Sequence, residues 1–258
     1  MVVADLHVHT TNSDGTFTLD TLPQAAEEAG VAAVAVTDHD RLHPELSDPI
    51  SDCDGTTVIH GIELRVEAAT QRLDLLGYGA RRTDRLAGLV DRLQENRIER
   101  ARRIVDCVED RLGVALDVEF EPGVGRPHIA RAIDESDADL GYGEAFEELI
   151  GDGRPCFVAR DIPSFEEGRE ILVDSCAVVG LAHPFRYDDP QAAIDLAADL
   201  DAIEVPYPYG EPVDVSPAAE AARREGLLVT GGSDAHGDTV GEEGLDREAY
   251  ERVRGCLA

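Results

Sequence analysis

The sequence contains no lysine and no tryptophan, so all 23 of its basic residues are arginines. It also lacks any run of about 18 consecutive apolar residues, the length that a membrane-spanning helix requires. Its first residues show neither the basic region nor the apolar core of a secretory signal. These absences exclude a hydrophobic membrane span, and we expect a cytoplasmic protein with no membrane partner.

Cysteine is also scarce and shows no pattern. The five cysteines are widely spaced and none forms a CxxC pair: Cys53, Cys107, Cys156, Cys176 and Cys256. An odd number of unpatterned cysteines is typical of reduced thiols in an intracellular protein. We therefore predict reduced, mostly buried thiols.

The charge is strongly acidic, with 54 aspartates and glutamates and a formal net charge of -31 at pH 7. The acidic residues are spread along the chain, which predicts a folded domain with an acidic surface. We favour adaptation to concentrated salt, because the Debye length falls to about 3 Å at 1 M salt and the carboxylates then barely repel one another. The alternative is an acidic surface for a basic partner. Duplex DNA is excluded as a partner because binding it needs a basic stripe.

Short apolar strands alternate with helices, which predicts an α/β fold with a mostly parallel sheet. The 258 residues suit one large domain. A helix is predicted over Leu19–Ala29, with Thr18 as its N-cap and Gly30 just beyond its end. Another is predicted over Ser164–Asp174, where Ser164 starts a capping box.

The middle of the chain carries two further patterns. Residues 56–67 and 72–80 are predicted to form paired strands, and 83–112 is predicted to be a long, arginine-rich helical stretch. If the sheet closes on itself, it forms a barrel related to the TIM architecture.

Polar residues fall where the predicted strands end. His7 and His9 follow a buried strand, and their spacing of two places both side chains on the same side of it. The carboxyl ends of parallel strands share one face, on which sites are built. We therefore expect one polar cluster at this face, formed by His7, His9, Asp38, His39, Glu63, His183, Glu204, Asp234 and His236.

These residue types favour a metal site. A single histidine at a strand end is more often a hydrogen-bonded or exposed residue. We interpret His60 as structural or as a support for a metal ligand, and His43 as a loop residue. Imidazoles and carboxylates without a nearby cysteine are typical ligands of zinc, manganese or iron(II). The cluster holds more ligands than one ion can use, which predicts two or three ions and hydrolytic chemistry.

The order of the motifs resembles the PHP (polymerase and histidinol phosphatase) superfamily. Within it, the chain is most similar to the TrpH/YciV-like phosphoesterases, which include RNase AM and nucleoside 3',5'-bisphosphate phosphatases. The resemblance spans residues 5–237 and is carried by DLHVHTTNSDGT, VTDHD, GIE, RPHIARA, LAHPFRY, IEV and GGSDAHG.

The resemblance implies a distorted (βα)7 TIM-like barrel formed by residues 1–258 as a single domain, with a helical insertion or cap at about 86–155. It also implies a trinuclear centre. Manganese is the first choice of metal, with zinc or iron as alternatives. The implied ligands are His7, His9, Glu63 and Asp234 for the first ion; Glu63, His128 and His183 for the second; and Asp14, His39 and His236 for the third.

The implied activity is metal-dependent hydrolysis of phosphomonoesters of small nucleotides, such as nucleoside 3',5'-bisphosphates, or of short 5'-phosphorylated RNA from its 5' end. Asp38 and Glu204 would orient ligands or assist catalysis. Arg126, Arg131 and Arg186 would bind the substrate phosphate, because a guanidinium matches phosphate oxygens. Two alternatives stay open: a histidinol-phosphatase-like enzyme for another metabolite, and a non-catalytic metal-binding module.

Overall fold

A computed structural model describes residues 1–237 and 239–257 of the chain. It divides into two compact units, of which the first comprises Met1–Val90 with Ile162–Ala258 and the second comprises Asp91–Asp161. None of the helices in the described ranges is both long and apolar enough to cross a membrane.

The first unit is built on a mixed sheet. Strands β1, β2, β4, β5, β6, β7 and β8 are neighbours in that order, and β3 pairs with β4. The β4–β5 and β5–β6 pairs are antiparallel, as is β3–β4, whereas the remaining pairs are parallel. The strands are β1 (Ala4–Val8), β2 (Ala33–Val36), β3 (Ile50–Cys53), β4 (Thr56–Glu67), β5 (Arg72–Tyr78), β6 (Val178–Leu181), β7 (Ala202–Glu204) and β8 (Leu228–Thr230).

The helices alternate with these strands only in part. No helix separates β4 from β5, which form the predicted strand pair and leave a short connection at 68–71. The α-helices are α1 (Leu22–Ala29), α2 (Asp84–Leu112), α3 (Arg126–Asp134), α4 (Tyr142–Ala145), α5 (Phe165–Ser175), α6 (Pro190–Leu196), α7 (Ser216–Glu225) and α8 (Arg247–Arg254).

The ends of two helices show how capping residues determine where a helix begins or stops. Ser164 precedes α5, and its hydroxyl accepts a hydrogen bond from the Glu167 N–H at 3.2 Å, which confirms the predicted cap. Gly30 ends α1 with a φ of 72°, also as predicted. The start of α1 was misplaced by three residues, because Thr18 and Thr21 bond each other through backbone N–H and hydroxyl groups before the helix begins.

The sheet curls, and backbone hydrogen bonds join β1 to the segment after β8. The N–H of Leu6 donates to the carbonyl of Gly231 at 3.0 Å, and that of His9 donates to Ala235 at 2.9 Å. The apolar core that supports this curl includes Leu76 and Tyr78, which are fully buried. The carboxyl ends of β1 and β8 are therefore held side by side.

The second unit contains a bonded pair of cysteines. Cys107 on α2 and Cys156 form a disulfide, with their Cα atoms 5.6 Å apart. The prediction of reduced thiols is therefore wrong for these two, although Cys53, Cys176 and Cys256 are free. The prediction that the thiols are mostly buried is also wrong, because Cys53 and Cys176 are only half-buried and Cys256 is exposed. The two bonded residues are 49 positions apart, and packing of the apolar core of this unit brings them together, which spacing alone could not show.

His60, on β4, is buried with both ring nitrogens lacking a hydrogen-bond partner among the described residues. Burial, together with a smaller effect of nearby His43, lowers its pKa to about 4. In the unfolded chain, His60 has an ordinary pKa near 6.5. Above that pH the residue is neutral in both states, so its protonation takes nothing from the free energy of unfolding.

We expect stability to fall by up to about 3 kcal/mol as pH drops from 6.5 to 4, through protonation of His60 in the unfolded state. The measurement is urea unfolding across this range, at constant salt, for the wild type and His60→Leu. The stability of the variant should fall less steeply over this range, by the part that His60 contributes. Parallel curves for the two proteins would show that His60 does not titrate as described.

Candidate metal centre

His7 and His9 lie at the carboxyl end of β1, and both are completely buried. Both Nε2 atoms face the same carboxylates. The His7 Nε2 lies 3.4 Å from Glu63 Oε1 and 3.4 Å from Asp234 Oδ1, while the His9 Nε2 lies 3.1 Å from Asp234 Oδ1. The structure therefore brings together the four residues predicted for the first ion.

The buried atoms of this group are better suited to binding a cation than to bonding with one another. The Nε2 atoms of His7 and His9 and the Oδ1 of Asp234 make no hydrogen bond within the described residues. A buried polar atom without a partner costs about 1–3 kcal/mol, so three that face one another are costly without a bound cation. Burial, followed by nearby His39, lowers the pKa of His9 and favours the neutral imidazole that binds metals.

A second group contains His9, Asp14, His39 and His236, with one potential ligand atom of each within 4.8 Å of the others. The Asp14 Oδ1 lies 3.3 Å from His236 Nε2 and 3.8 Å from His39 Nε2. Although burial raises the pKa of the Asp14 carboxyl, His39 and His236 outweigh it and hold that pKa well below its usual range. This group contains all three residues predicted for the third ion.

A third group joins Glu63 and His183 to Asp74, a residue that sequence reasoning missed. The His183 Nε2 lies 3.0 Å from Glu63 Oε1 and 3.8 Å from Asp74 Oδ2. Asp74 lies on β5 opposite Arg65 of β4, whose Nε donates to it at 2.6 Å. The available signal was an aspartate inside an otherwise apolar strand, RLDLLGY.

Two of the candidate ligands have unusual backbone conformations. His183 has a φ of 25° and Asp234 a φ of 50°, both in the left-handed region that favours glycine. Such conformations cost about 1–3 kcal/mol each and persist where surrounding contacts impose them. Here the His183 N–H donates to Glu204 Oε2 at 2.7 Å, which fixes the turn after β6.

Glu204 positions a histidine of the cluster, and Asp38 positions the loop that follows His9. Glu204 Oε1 contacts His7 Nδ1 at 3.2 Å, so Nδ1 is engaged and Nε2 is directed at Glu63 and Asp234. Asp38 accepts from the Thr10 N–H at 2.8 Å and the Ser13 hydroxyl at 2.7 Å. Its carboxylate therefore fixes the loop after His9.

Replacing Glu204 with glutamine should weaken metal binding about 10- to 100-fold, the usual effect of removing a carboxylate behind a histidine ligand. The reason is that His7 would lose the negative partner that holds its ring. Calorimetric titration with Mn²⁺ measures this, and exposed Glu220→Gln on α7 is the control. Equal affinities in the two variants would contradict the role of Glu204.

The predicted phosphate-binding arginines differ in their surroundings. Arg186 is 54% exposed, and its Nη1 donates to Asp234 Oδ2 at 3.0 Å and to the Tyr207 hydroxyl at 2.8 Å. In the second unit, Arg126 donates to Asp152 at 2.6 Å, and Arg131 is exposed on α3. His128 lies in the first turn of that helix, where its Nδ1 accepts from the Gly125 N–H at 3.2 Å. The roles of Arg126, Arg131 and His128 stay predictions.

Comparison with known proteins agrees with the motifs. Residues 5–120 match the PHP domain family. A 3',5'-nucleoside bisphosphate phosphatase of Chromobacterium violaceum is 28% identical over 95% of this chain and 90% of its own length. A phosphoribosyl 1,2-cyclic phosphate 1,2-diphosphodiesterase of Eggerthella lenta is 28% identical over 92% and 95%, and the 5'-3' exoribonuclease Rnm of Salmonella typhimurium is 28% identical over 91% and 85%.

Solved structures share the fold. A protein of Bifidobacterium adolescentis, described as a metal-dependent phosphoesterase, superposes with a TM-score of 0.82 at 23% identity, covering 98% of this chain and 96% of its own. A Chromobacterium violaceum protein described as an amidohydrolase gives a TM-score of 0.77 at 24% identity, covering 99% and 97%. The family match over residues 5–120 and the relatives that align over most of the chain confirm the resemblance inferred from the motifs.

Proposed function

We propose that this protein is a metal-dependent phosphoesterase that hydrolyses phosphomonoesters of small nucleotides or of short 5'-phosphorylated RNA ends. The observation that carries the proposal is the convergence of buried imidazole nitrogens and carboxylate oxygens, several without hydrogen bonds, at one end of the sheet. The names of the relatives support the substrate class, since they include a nucleoside bisphosphate phosphatase and 5'-3' exoribonucleases.

The donor set fits two or three divalent ions, with manganese preferred because carboxylates accompany the imidazoles. Such ions, when bound, lower the pKa of a water and neutralise phosphoryl oxygens. We propose His7, His9, Glu63 and Asp234 for one ion and Asp14, His39 and His236 for another. Glu63 and His183 would hold the remaining ion, with Asp74 and the predicted His128 as candidate further ligands.

The protein's own groups orient this site. Glu204 holds the ring of His7, while Tyr207 donates to Asp234 Oδ2 at 2.8 Å and Arg186 donates to the same oxygen. Asp234 is therefore fixed with Oδ1 directed at the two histidines. The guanidinium of Arg186 is half-exposed beside this carboxylate, where it can bind a phosphate oxygen of the substrate.

The architecture proposed with this function is the seven-stranded barrel of the resemblance. In support, seven strands follow one another along the sheet, and backbone bonds link β1 to the segment after β8. We propose the helical second unit, Asp91–Asp161, as the counterpart of the predicted insertion within a single PHP domain.

The experiment is a substrate panel in molar salt with Mn²⁺, measured as phosphate release. The substrates are adenosine 3',5'-bisphosphate, AMP, a short 5'-phosphorylated RNA and histidinol phosphate. We expect release from the bisphosphate or the RNA. Release from histidinol phosphate alone would assign a different substrate class, and no release from metal-loaded protein would favour a non-catalytic module.

A further inference from the structure

A cavity of about 480 Å³ opens next to the metal centre, within the first unit. Tyr207 belongs to both sites, because it lines the cavity and its hydroxyl donates to Asp234 Oδ2 at 2.8 Å. The volume lies within the range of about 300–1,000 Å³ that is usual for small-ligand sites. A molecule with its phosphate at the metal centre could extend past Tyr207 into this cavity.

The cavity has an aromatic wall. Tyr207 and Tyr209 both line it, and their ring centroids lie 4.7 Å apart with planes tilted by 51°. Phe185 packs edge-on against Tyr209, with centroids 5.6 Å apart, and so supports that ring from another side. Only 5% of the residues of this chain are aromatic, so three aromatic rings beside the metal centre are a local concentration. Such rings form a stacking platform for a flat ligand.

Three carboxylates also line the cavity, among valines and prolines. They belong to Glu211, Glu242 and Glu243. Carboxylates repel a phosphate but accept hydrogen bonds from the amino groups of a base or the hydroxyls of a sugar. The distribution of charge therefore favours one orientation of a bound nucleotide. Its phosphate would lie near Arg186 and the metal ligands, and its uncharged part would lie in the cavity.

We propose that this cavity binds the nucleobase of the substrate, stacked on the ring of Tyr209. The inference rests on the proposed function for its phosphate end and extends it by assigning a base-binding site. Tyr209 is a specificity residue here, since its ring would contact the substrate away from the reacting phosphate. Substrates without a flat base would lose this contact.

The test measures binding without catalysis. Adenosine, which carries no phosphate to hydrolyse, is titrated calorimetrically into Mn²⁺-supplemented protein in molar salt, with ribose as the baseless comparison. We expect adenosine to bind more tightly than ribose. Tyr209→Phe keeps the ring and should keep this affinity, whereas Tyr209→Leu keeps an apolar side chain without a π-face and should weaken adenosine binding about tenfold or more.

The matched control is Tyr142→Leu, a tyrosine of the second unit that is 42% exposed. It should bind adenosine as the wild type does, and circular dichroism checks that each variant is folded. Equal binding of ribose and adenosine by the wild type, or unchanged adenosine binding by folded Tyr209→Leu, would overturn the proposal. If adenosine binding depends on Tyr209 but the protein releases no phosphate, the result would support the base site and contradict the proposed function.

Discussion

Replacing Asp234 with asparagine should reduce phosphate release about a thousandfold, which corresponds to about 4 kcal/mol of transition-state stabilisation. Asp234 Oδ1 faces the Nε2 atoms of His7 and His9, and Oδ2 is held by Tyr207 and Arg186. Asparagine has nearly the same shape, so the fold should survive. The charge that attracts the cation is lost, and the amide nitrogen is a donor instead of a ligand.

The measurement is kcat for adenosine 3',5'-bisphosphate together with the metal content of the purified protein. Exposed Asp188→Asn removes the same charge from the turn after His183 and is the control. It should retain wild-type activity. An Asp234→Asn variant with wild-type kcat and metal content would place the reaction elsewhere in the molecule.

The second large effect concerns salt. With a formal net charge of -31, the folded chain should be destabilised by self-repulsion in dilute buffer. Concentrated salt screens these charges, since the Debye length shrinks from about 10 Å at 0.1 M to about 3 Å at 1 M. We expect the midpoint of thermal unfolding to rise by about 10 °C or more between these concentrations, which corresponds to several kcal/mol for a chain of this size.

Thermal unfolding followed by circular dichroism in KCl tests this. Sucrose, an uncharged co-solvent that also favours compact states, is the control because it screens no charge. KCl should raise the midpoint far more than sucrose does. A midpoint that does not change with KCl would contradict adaptation to concentrated salt and favour the alternative of an acidic surface for a basic partner.

Much of the site could be predicted because its residues mark the ends of strands. His7, His9 and Asp234 lie near strand ends after apolar runs, and the rule that parallel strands end on one face was sufficient to bring them together. Glu63 was also expected at a strand end, but it lies within β4, which continues to Glu67. Asp74 was not predicted as a site residue because it lies within an apolar strand. Its approach to His183 depends on the antiparallel register of β5 and β6, which the strand pattern does not specify.

Other features depend on tertiary packing that no local pattern encodes. Cys107 and Cys156 meet because the second unit folds them together, so the rule based on cysteine spacing fails for them. Tyr207 reaches Asp234 across 27 positions of sequence. A supporting role for Glu204 could be predicted, since strand-end carboxylates often support histidine ligands. That its Oε1 contacts Nδ1 of His7 could be learned only from the structure.

The central claim is that the buried histidines and carboxylates hold the metal ions that hydrolysis of a phosphate ester requires. Its most direct test is phosphate release from adenosine 3',5'-bisphosphate by protein stripped with a chelator, as Mn²⁺ is titrated back in molar salt. We predict no release from the stripped protein and full recovery once two or three ions are bound per chain. Release that survives complete removal of metal, or no release when the ions are bound, would contradict it.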